Sequence, residues 1–191
     1  MNHEAGDSPS ERDYSDRLII GQIVSGQKEL FRLLVRRYER PVYGMGRSFF
    51  RNAEDASDFV QEVFLKVYRT LSRFEGRSRF STWLYKIAFN TAINWVNRRK
   101  DYQSLAVEEA GIEAGDSDTP ERTLIRNAAR DAVLASLAEL PERYRICIDL
   151  FFFYDRSYQE IESITGFPVN TIKSHVFRAK KLLKEKLEGL T

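Results

Sequence analysis

A segment of twenty residues near the middle of the chain separates two stretches with helical patterns. Residues 101–120, DYQSLAVEEAGIEAGDSDTP, contain few large apolar side chains and many Gly, Ala, Ser and acidic residues, which is typical of a linker. Fully extended, about twenty residues span on the order of 65 Å, so the flanking domains could bind separate parts of one partner. No alternation of Val, Ile and Thr indicates strands. The sequence therefore predicts an all-α protein, with two small helical domains joined by a flexible acidic linker.

Charge is distributed unevenly over these segments. The net charge of the 191 residues is only +2, but residues 28–100 carry sixteen basic and seven acidic side chains. Residues 101–122 carry one basic and seven acidic side chains, and residues 167–191 carry six and two. Two basic regions around an acidic connector indicate binding to a phosphate backbone. We divide the chain into an acidic tail with the start of the first helix (1–27), a first domain (28–100), the linker (101–120) and a second domain (121–191).

Several classes of protein are excluded by composition. The single cysteine, Cys147, cannot form an internal disulfide and fits a reducing compartment. The longest apolar run, residues 150–154, is too short to span a membrane, so we expect a soluble, cytoplasmic protein without membrane insertion. Two His and one Cys offer no nucleophile–base pair and no metal-ligand spacing. We therefore expect no enzyme, no catalytic residue, no metal, no cofactor and no small-molecule substrate.

The pattern of residues 157–187 predicts a helix-turn-helix. Ser157 and Glu160 have the spacing of a capping box, and Gly166 can adopt the left-handed conformation of the turn. On the second helix an apolar stripe faces inward (Ile172, Val176, Ala179, Leu183), while the opposite arc carries an aromatic residue, Phe177, among polar side chains. Such a helix can read base edges and bind phosphates in the major groove. The candidate DNA-binding residues are Asn170, Thr171, Lys173, Ser174, Phe177, Arg178 and Lys181.

A second candidate site for nucleic acid lies on the helix predicted over 81–99. Trp83, Lys86, Asn90, Asn94 and Asn97 recur at helical spacing, which combines an aromatic ring, a cation and amides on one line. The preceding loop adds Phe74, Arg77, Arg79 and Phe80. This combination suits unstacked single-strand bases. The competing interpretation, that apolar and aromatic residues of this helix belong to the core, is the one we favour for Leu84, Phe89 and Trp95.

Asn52, a residue type favoured at N-caps, marks the start of a helix predicted over 54–71. This helix has one apolar and one charged face. Its core stripe is Ala56, Phe59, Val60, Val63 and Val67. The charged face carries Asp58, Gln61, Glu62 and Arg69 around a single apolar residue, Leu65. An apolar residue ringed by charge is typical of an interface, although it also occurs on a solvated face. Because this face is acidic in a basic domain, we expect a protein partner.

These three features, in this order, resemble bacterial RNA polymerase sigma factors of the small, two-domain extracytoplasmic-function group. The resemblance covers residues 30–43, 57–95 and 140–187. It implies an alternative sigma factor that binds core RNA polymerase and directs promoter-specific initiation. Its implied partners are the polymerase, through the β′ clamp helices and the β flap, promoter DNA, and an anti-sigma factor. A free-standing helix-turn-helix regulator that binds an operator as a homodimer is the alternative.

The resemblance also implies roles for the candidate residues. Asp58, Gln61, Glu62 and Leu65 would bind the polymerase. The loop 74–80 and Asn90 would capture a non-template base of the minus-10 element, with Trp83, Lys86 and Asn94 contacting the same strand or its duplex edge. The second helix of the helix-turn-helix would read the minus-35 element, and the linker would enter the active-site and RNA-exit channels.

Overall fold

The computed structural model describes residues 9–50, 52–105, 136–137 and 139–188. Within these ranges the chain forms seven α-helices and two short 3-10 turns, with no strand, so the all-α prediction is confirmed. The helices are α1 (Pro9–Val24), α2 (Phe31–Phe49), α3 (Ala53–Thr70), α4 (Phe80–Leu105), α5 (Glu142–Phe152), α6 (Tyr158–Thr165) and α7 (Val169–Glu188). The chain divides into two compact units, of which the first ends at Trp95 and the second begins at Val96.

The core of the first unit is formed where α2 and α3 pack closely. On α3, Ala56, Phe59, Val63 and Val67 are fully buried, as the stripe predicts, whereas Val60 is only partly buried. A Cβ atom on Gly46 of α2 would lie 2.8 Å from Phe59 Cδ1, so glycine permits this approach. The start of α3 is also as predicted, because the Asn52 side chain accepts a hydrogen bond from the Asp55 backbone N–H at 2.6 Å.

Two helices are longer than the sequence pattern predicts. The pattern favours a new segment or a bend at Pro41, but α2 runs through this residue without a break from Phe31 to Phe49. The helix predicted to end at Arg99 continues to Leu105, through the first five residues of the predicted linker. Residues 106–120 and most of the helix expected near 121–139 lie outside the described residues.

The second unit contains the predicted helix-turn-helix. The capping box at the start of α6 is present: Ser157 Oγ accepts from the Glu160 N–H, and the Glu160 carboxylate accepts from the Ser157 N–H. Gly166 ends α6 in the left-handed conformation, with φ of +75°. The apolar stripe of α7 packs inward, with Ile172, Val176 and Ala179 buried and Leu183 partly buried. The opposite arc of α7 is therefore available to a partner.

Candidate nucleic-acid interface and protein-docking surface

Three aromatic rings form a cluster where the loop 74–80 meets α4. The ring centroids of Phe74 and Trp83 lie 5.4 Å apart, those of Phe74 and Phe80 5.7 Å, and those of Phe80 and Trp83 5.9 Å. Phe74 and Trp83 are partly exposed, but Phe80 is fully buried. A fully buried ring cannot contact a base, so the prediction that Phe80 contacts DNA is wrong. Phe80 instead packs against the rings of Phe74 and Trp83.

The polar residues beside this cluster are exposed, as the helical spacing predicts. Lys86, Asn90 and Asn94 lie on the open side of α4, and Asn97 continues the line. In the loop, Arg79 is exposed, and the guanidinium of Arg77 lies 2.5 Å from the Glu75 carboxylate in an exposed ion pair. Exposed ion pairs of this kind contribute little to stability, so the Arg77 guanidinium can leave Glu75 to bind a phosphate at little cost. The surface therefore combines partly exposed rings, cations and amides, the chemistry that binds unstacked bases.

A buried polar cluster lies behind the aromatic rings. The Asp16 carboxylate on α1 is 1% exposed and accepts hydrogen bonds from the Tyr38 hydroxyl and the Arg37 guanidinium on α2. Burial raises the pKa of Asp16, opposed by the hydrogen bond from Tyr38 and the charge of Arg37. Burial and the neighbouring carboxylate also raise the pKa of the Tyr38 hydroxyl, so it remains a proton donor at neutral pH.

The outward face of α3 carries an apolar patch larger than the sequence indicated. Leu65 is 55% exposed, and Tyr68, one turn further along the helix, is also exposed while its ring packs on Phe31 at 5.0 Å. Asp58, Gln61 and Arg69 are exposed around this patch. Glu62 differs from the other predicted docking residues, because its carboxylate bonds to side chains within the first unit. Its carboxylate accepts a hydrogen bond from Trp95 Nε1 at 2.6 Å and pairs with Lys66 at 2.5 Å.

The arc of α7 predicted to meet DNA is open. Phe177 is 69% exposed, the largest exposed fraction among the large apolar residues described. Thr171 and Ser174 are partly buried, and the remaining candidates are exposed: Asn170, Lys173, Arg178 and Lys181. The Arg178 guanidinium donates to the Tyr144 hydroxyl at 3.2 Å, and Lys181 lies 3.9 Å from Glu185. The cations on this arc are thus placed around an exposed ring.

His175 lies on the other side of α7, among aromatic rings. Its ring centroid is 5.1 Å from Tyr144 and 5.9 Å from Phe167, and its Nδ1 atom lies 3.6 Å from Cys147 Sγ. Burial lowers the pKa of His175, as do the charges of Arg143 and Arg178. Burial raises the pKa of the Cys147 thiol to about 12. Among the residues that the structure describes, no group of three His, Cys, Asp or Glu side chains could hold a metal ion.

Comparison with known families identifies both units. Residues 34–102 match the family model of sigma-70 region 2, and residues 130–183 match that of sigma-70 region 4. The chain belongs to the sigma-70 family. Within that family it is a sigma factor of the extracytoplasmic-function group, and therefore a transcription initiation factor. None of the helices that the structure describes is long and apolar enough to cross a membrane.

Curated relatives match this sigma factor over nearly its whole length. It is 34% identical to the RNA polymerase sigma-H factor of Pseudomonas aeruginosa, over 92% of this chain and 95% of that protein. It is 36% identical to the ECF RNA polymerase sigma-E factor of Haemophilus influenzae, over 92% and 97%. The corresponding sigma-E factor of Escherichia coli is 34% identical, over 92% and 96%.

Two solved structures share the fold of this sigma factor. CnrH, solved in complex with the cytosolic domain of CnrY, superposes with a TM-score of 0.65 and 24% identity, over 92% of this chain and 99% of that chain. The sigma factor RpoE of Bartonella quintana, solved with the anti-sigma factor NepR, gives 0.64 and 23%, over 83% and 96%.

Sequence reasoning missed Tyr68, Asp16 and Tyr38 in this sigma factor. Tyr68 follows Leu65 at a spacing of three residues, so the helical period could have found it. Asp16 and Tyr38 could not be found in this way, because their partnership joins two helices that are far apart in sequence.

Proposed function

We propose that the chain, bound to core RNA polymerase, directs transcription from specific promoters by reading two elements with two separate surfaces. The loop 74–80 and Asn90 capture a non-template base of the minus-10 element, and α7 reads the minus-35 element. The observation that carries this proposal is the surface beside α4, where partly exposed Phe74 and Trp83 adjoin the exposed amides of Asn90 and Asn94.

Base capture supplies energy for strand opening. Taking one base out of the duplex costs a few kcal/mol. Stacking on an aromatic ring contributes about 1–3 kcal/mol per base, and hydrogen bonds to the Watson–Crick edge add to it. Phe74 and Trp83 have the partly exposed rings for stacking, and Asn90 has the donor and acceptor for the base edge. Lys86, Asn94, Arg77 and Arg79 then hold the same strand or its duplex edge.

Duplex reading belongs to α7. Phe177 is an exposed ring among cations, so contact with a thymine methyl group would give it an apolar partner in the major groove. Asn170, Thr171, Lys173 and Ser174 lie on the first turns of α7, where a recognition helix meets base edges. Arg178 and Lys181 lie further along and suit phosphates.

The polymerase binds the patch on α3. Leu65 is the exposed apolar centre, ringed by Asp58, Gln61 and Glu62, and we assign this patch to the β′ clamp helices. We assign the contact with the β flap to the second domain, residues 121–191. The α3 patch belongs to the first domain, residues 28–100. The acidic linker 101–120 enters the channels that nucleic acid otherwise occupies.

Regulation by a separate anti-sigma factor is part of the proposal. The two solved structures named above were both determined with a partner, and the partner of the Bartonella quintana protein is an anti-sigma factor. We infer that this chain is held inactive by such a protein in the cytoplasm, where core polymerase is found.

Run-off transcription with purified core polymerase and genomic fragments tests the proposal. Transcripts with defined start sites should appear only when the chain is added. A homodimeric operator-binding regulator would instead leave the start sites of the polymerase unchanged and bind its DNA without polymerase. That result would refute the proposal.

A further inference from the structure

The α1 helix is linked to the base-capturing loop through a buried carboxylate. Asp16 on α1 accepts a hydrogen bond from the Tyr38 hydroxyl through one carboxylate oxygen and binds the Arg37 guanidinium through the other. Arg37 also donates to the hydroxyl of Ser15 at 3.3 Å. Because Asp16 is 1% exposed, water does not compete for these bonds, and the Tyr38 ring is held at both its Cα and its hydroxyl.

The Tyr38 ring in turn supports the aromatic cluster. Its centroid lies 5.5 Å from that of Phe80, with an angle of 66° between the ring planes, an edge-to-face contact. Phe80 is fully buried, and its ring also contacts the rings of Phe74 and Trp83. A continuous series of contacts therefore runs from Asp16 through Tyr38 and Phe80 to the two partly exposed rings.

A second residue of α1, Arg17, lies close to the loop. Gly76, in the middle of the loop, has φ of +69°, a conformation that favours glycine. A Cβ at this position would lie 3.4 Å from Nη1 of Arg17, the residue that follows Asp16. Of two consecutive residues of α1, Arg17 thus lies beside the loop at Gly76, and Asp16 is linked to the ring cluster through Tyr38.

We propose that Asp16 and Tyr38 are positioning residues that hold the loop 74–80 in the shape that captures a base. This inference rests on the proposed function of the loop and extends it to a helix that carries none of the proposed base-contacting residues. The physical reason is that a buried carboxylate accepts in fixed directions, so it fixes the tyrosine ring in one orientation. A buried ion pair is in general weak evidence for a role in stability, and the specification of one geometry is a role that buried polar groups have in some proteins.

The test variant is Tyr38→Phe, which keeps the ring against Phe80 and removes the hydroxyl. Asp16→Asn removes the charge from the other end, and Tyr43→Phe, an exposed hydroxyl on the same helix, is the matched control. Hydrogen exchange of the free chain should show amides of the loop 74–80 exchanging several-fold faster in Tyr38→Phe, with residues 140–165 unchanged. Tyr43→Phe should exchange like the wild type.

The functional readout is holoenzyme binding to a single-stranded oligonucleotide that carries the non-template minus-10 strand of a promoter mapped by run-off. Tyr38→Phe should weaken this binding about three- to tenfold, while affinity for core polymerase stays within about twofold. Unchanged loop exchange, or a loss of core binding equal to the loss of oligonucleotide binding, would overturn the inference. A wild-type holoenzyme that does not prefer this oligonucleotide over a scrambled one would refute the proposed function, and the exchange data would still decide whether α1 positions the loop.

Discussion

Asn90 has an exposed amide on α4, and an amide offers a donor and an acceptor to one base edge. We predict that Asn90→Ala lowers transcription from a cognate promoter roughly tenfold, the scale of one good hydrogen-bonded pair to a base. Core binding should not change, because Asn90 lies outside the α3 patch. Gln22→Ala, which removes an exposed amide on α1, is the control. Normal transcription by Asn90→Ala would remove Asn90 from the capture site.

Leu65 tests the docking surface, because the chain contains a second leucine of almost equal exposure. Leu65 on α3 is 55% exposed and Leu18 on α1 is 54% exposed. We predict that Leu65→Asp weakens binding to core polymerase by about tenfold or more, as expected for an apolar residue at the centre of an interface. Leu18→Asp should bind normally, and both variants should unfold at the wild-type temperature. Equal binding by the two variants would contradict the assignment of the α3 patch.

The lowered pKa of His175 predicts a pH dependence of stability. An unfolded histidine titrates near pH 6.5, and burial with Arg143 and Arg178 moves the folded value below this. Below pH 6.5 the unfolded chain then binds more protons than the folded chain. The contribution of His175 to the free energy of unfolding is therefore fully present above pH 6.5 and is lost as the pH falls through the folded pKa. An NMR titration of wild type and His175→Gln measures the pKa directly. A value at or above 6.5 would contradict the prediction.

At the scale of the element, two glycines should respond to the same substitution with opposite signs. Gly166 ends α6 with φ of +75°, whereas Gly21 lies inside α1, and a Cβ added to either glycine would have no atom within 4 Å. Because steric room is equal, only backbone conformation differs. We predict that Gly166→Ala destabilises by about 1–2 kcal/mol, and that Gly21→Ala stabilises by about 0.5–1 kcal/mol. Urea unfolding measures both, and a stabilised Gly166→Ala would contradict the left-handed turn.

Some features of these helices could be predicted from the sequence, and others could not. Local signals predicted the Asn52 cap, the capping box of α6 and the left-handed Gly166, because each depends on residues within one turn. The end of α4 was not predictable in this way, since residues 101–105, DYQSL, carry no local stop signal and are compatible with a helix and a linker alike. The burial of Phe80 was missed because it depends on Tyr38, which belongs to another helix.

At the scale of the whole molecule, the net charge of +2 is a sum of opposed segments. Residues 28–100 are strongly basic and residues 101–122 strongly acidic. We expect the acidic segments to reduce nonspecific binding of the free chain to DNA. We expect each proposed DNA-binding surface to bind weakly by itself, and the polymerase to fix the spacing at which both act together. We therefore predict that promoter binding depends on core polymerase.

The most direct test is the affinity of this sigma factor for one promoter duplex, measured with and without core polymerase at physiological salt. The promoter should be one mapped by run-off transcription, and a scrambled duplex serves as the control. We predict tight, sequence-selective binding by the holoenzyme and only weak, nonselective binding by the chain alone. Nanomolar, selective binding by the isolated chain would contradict the account.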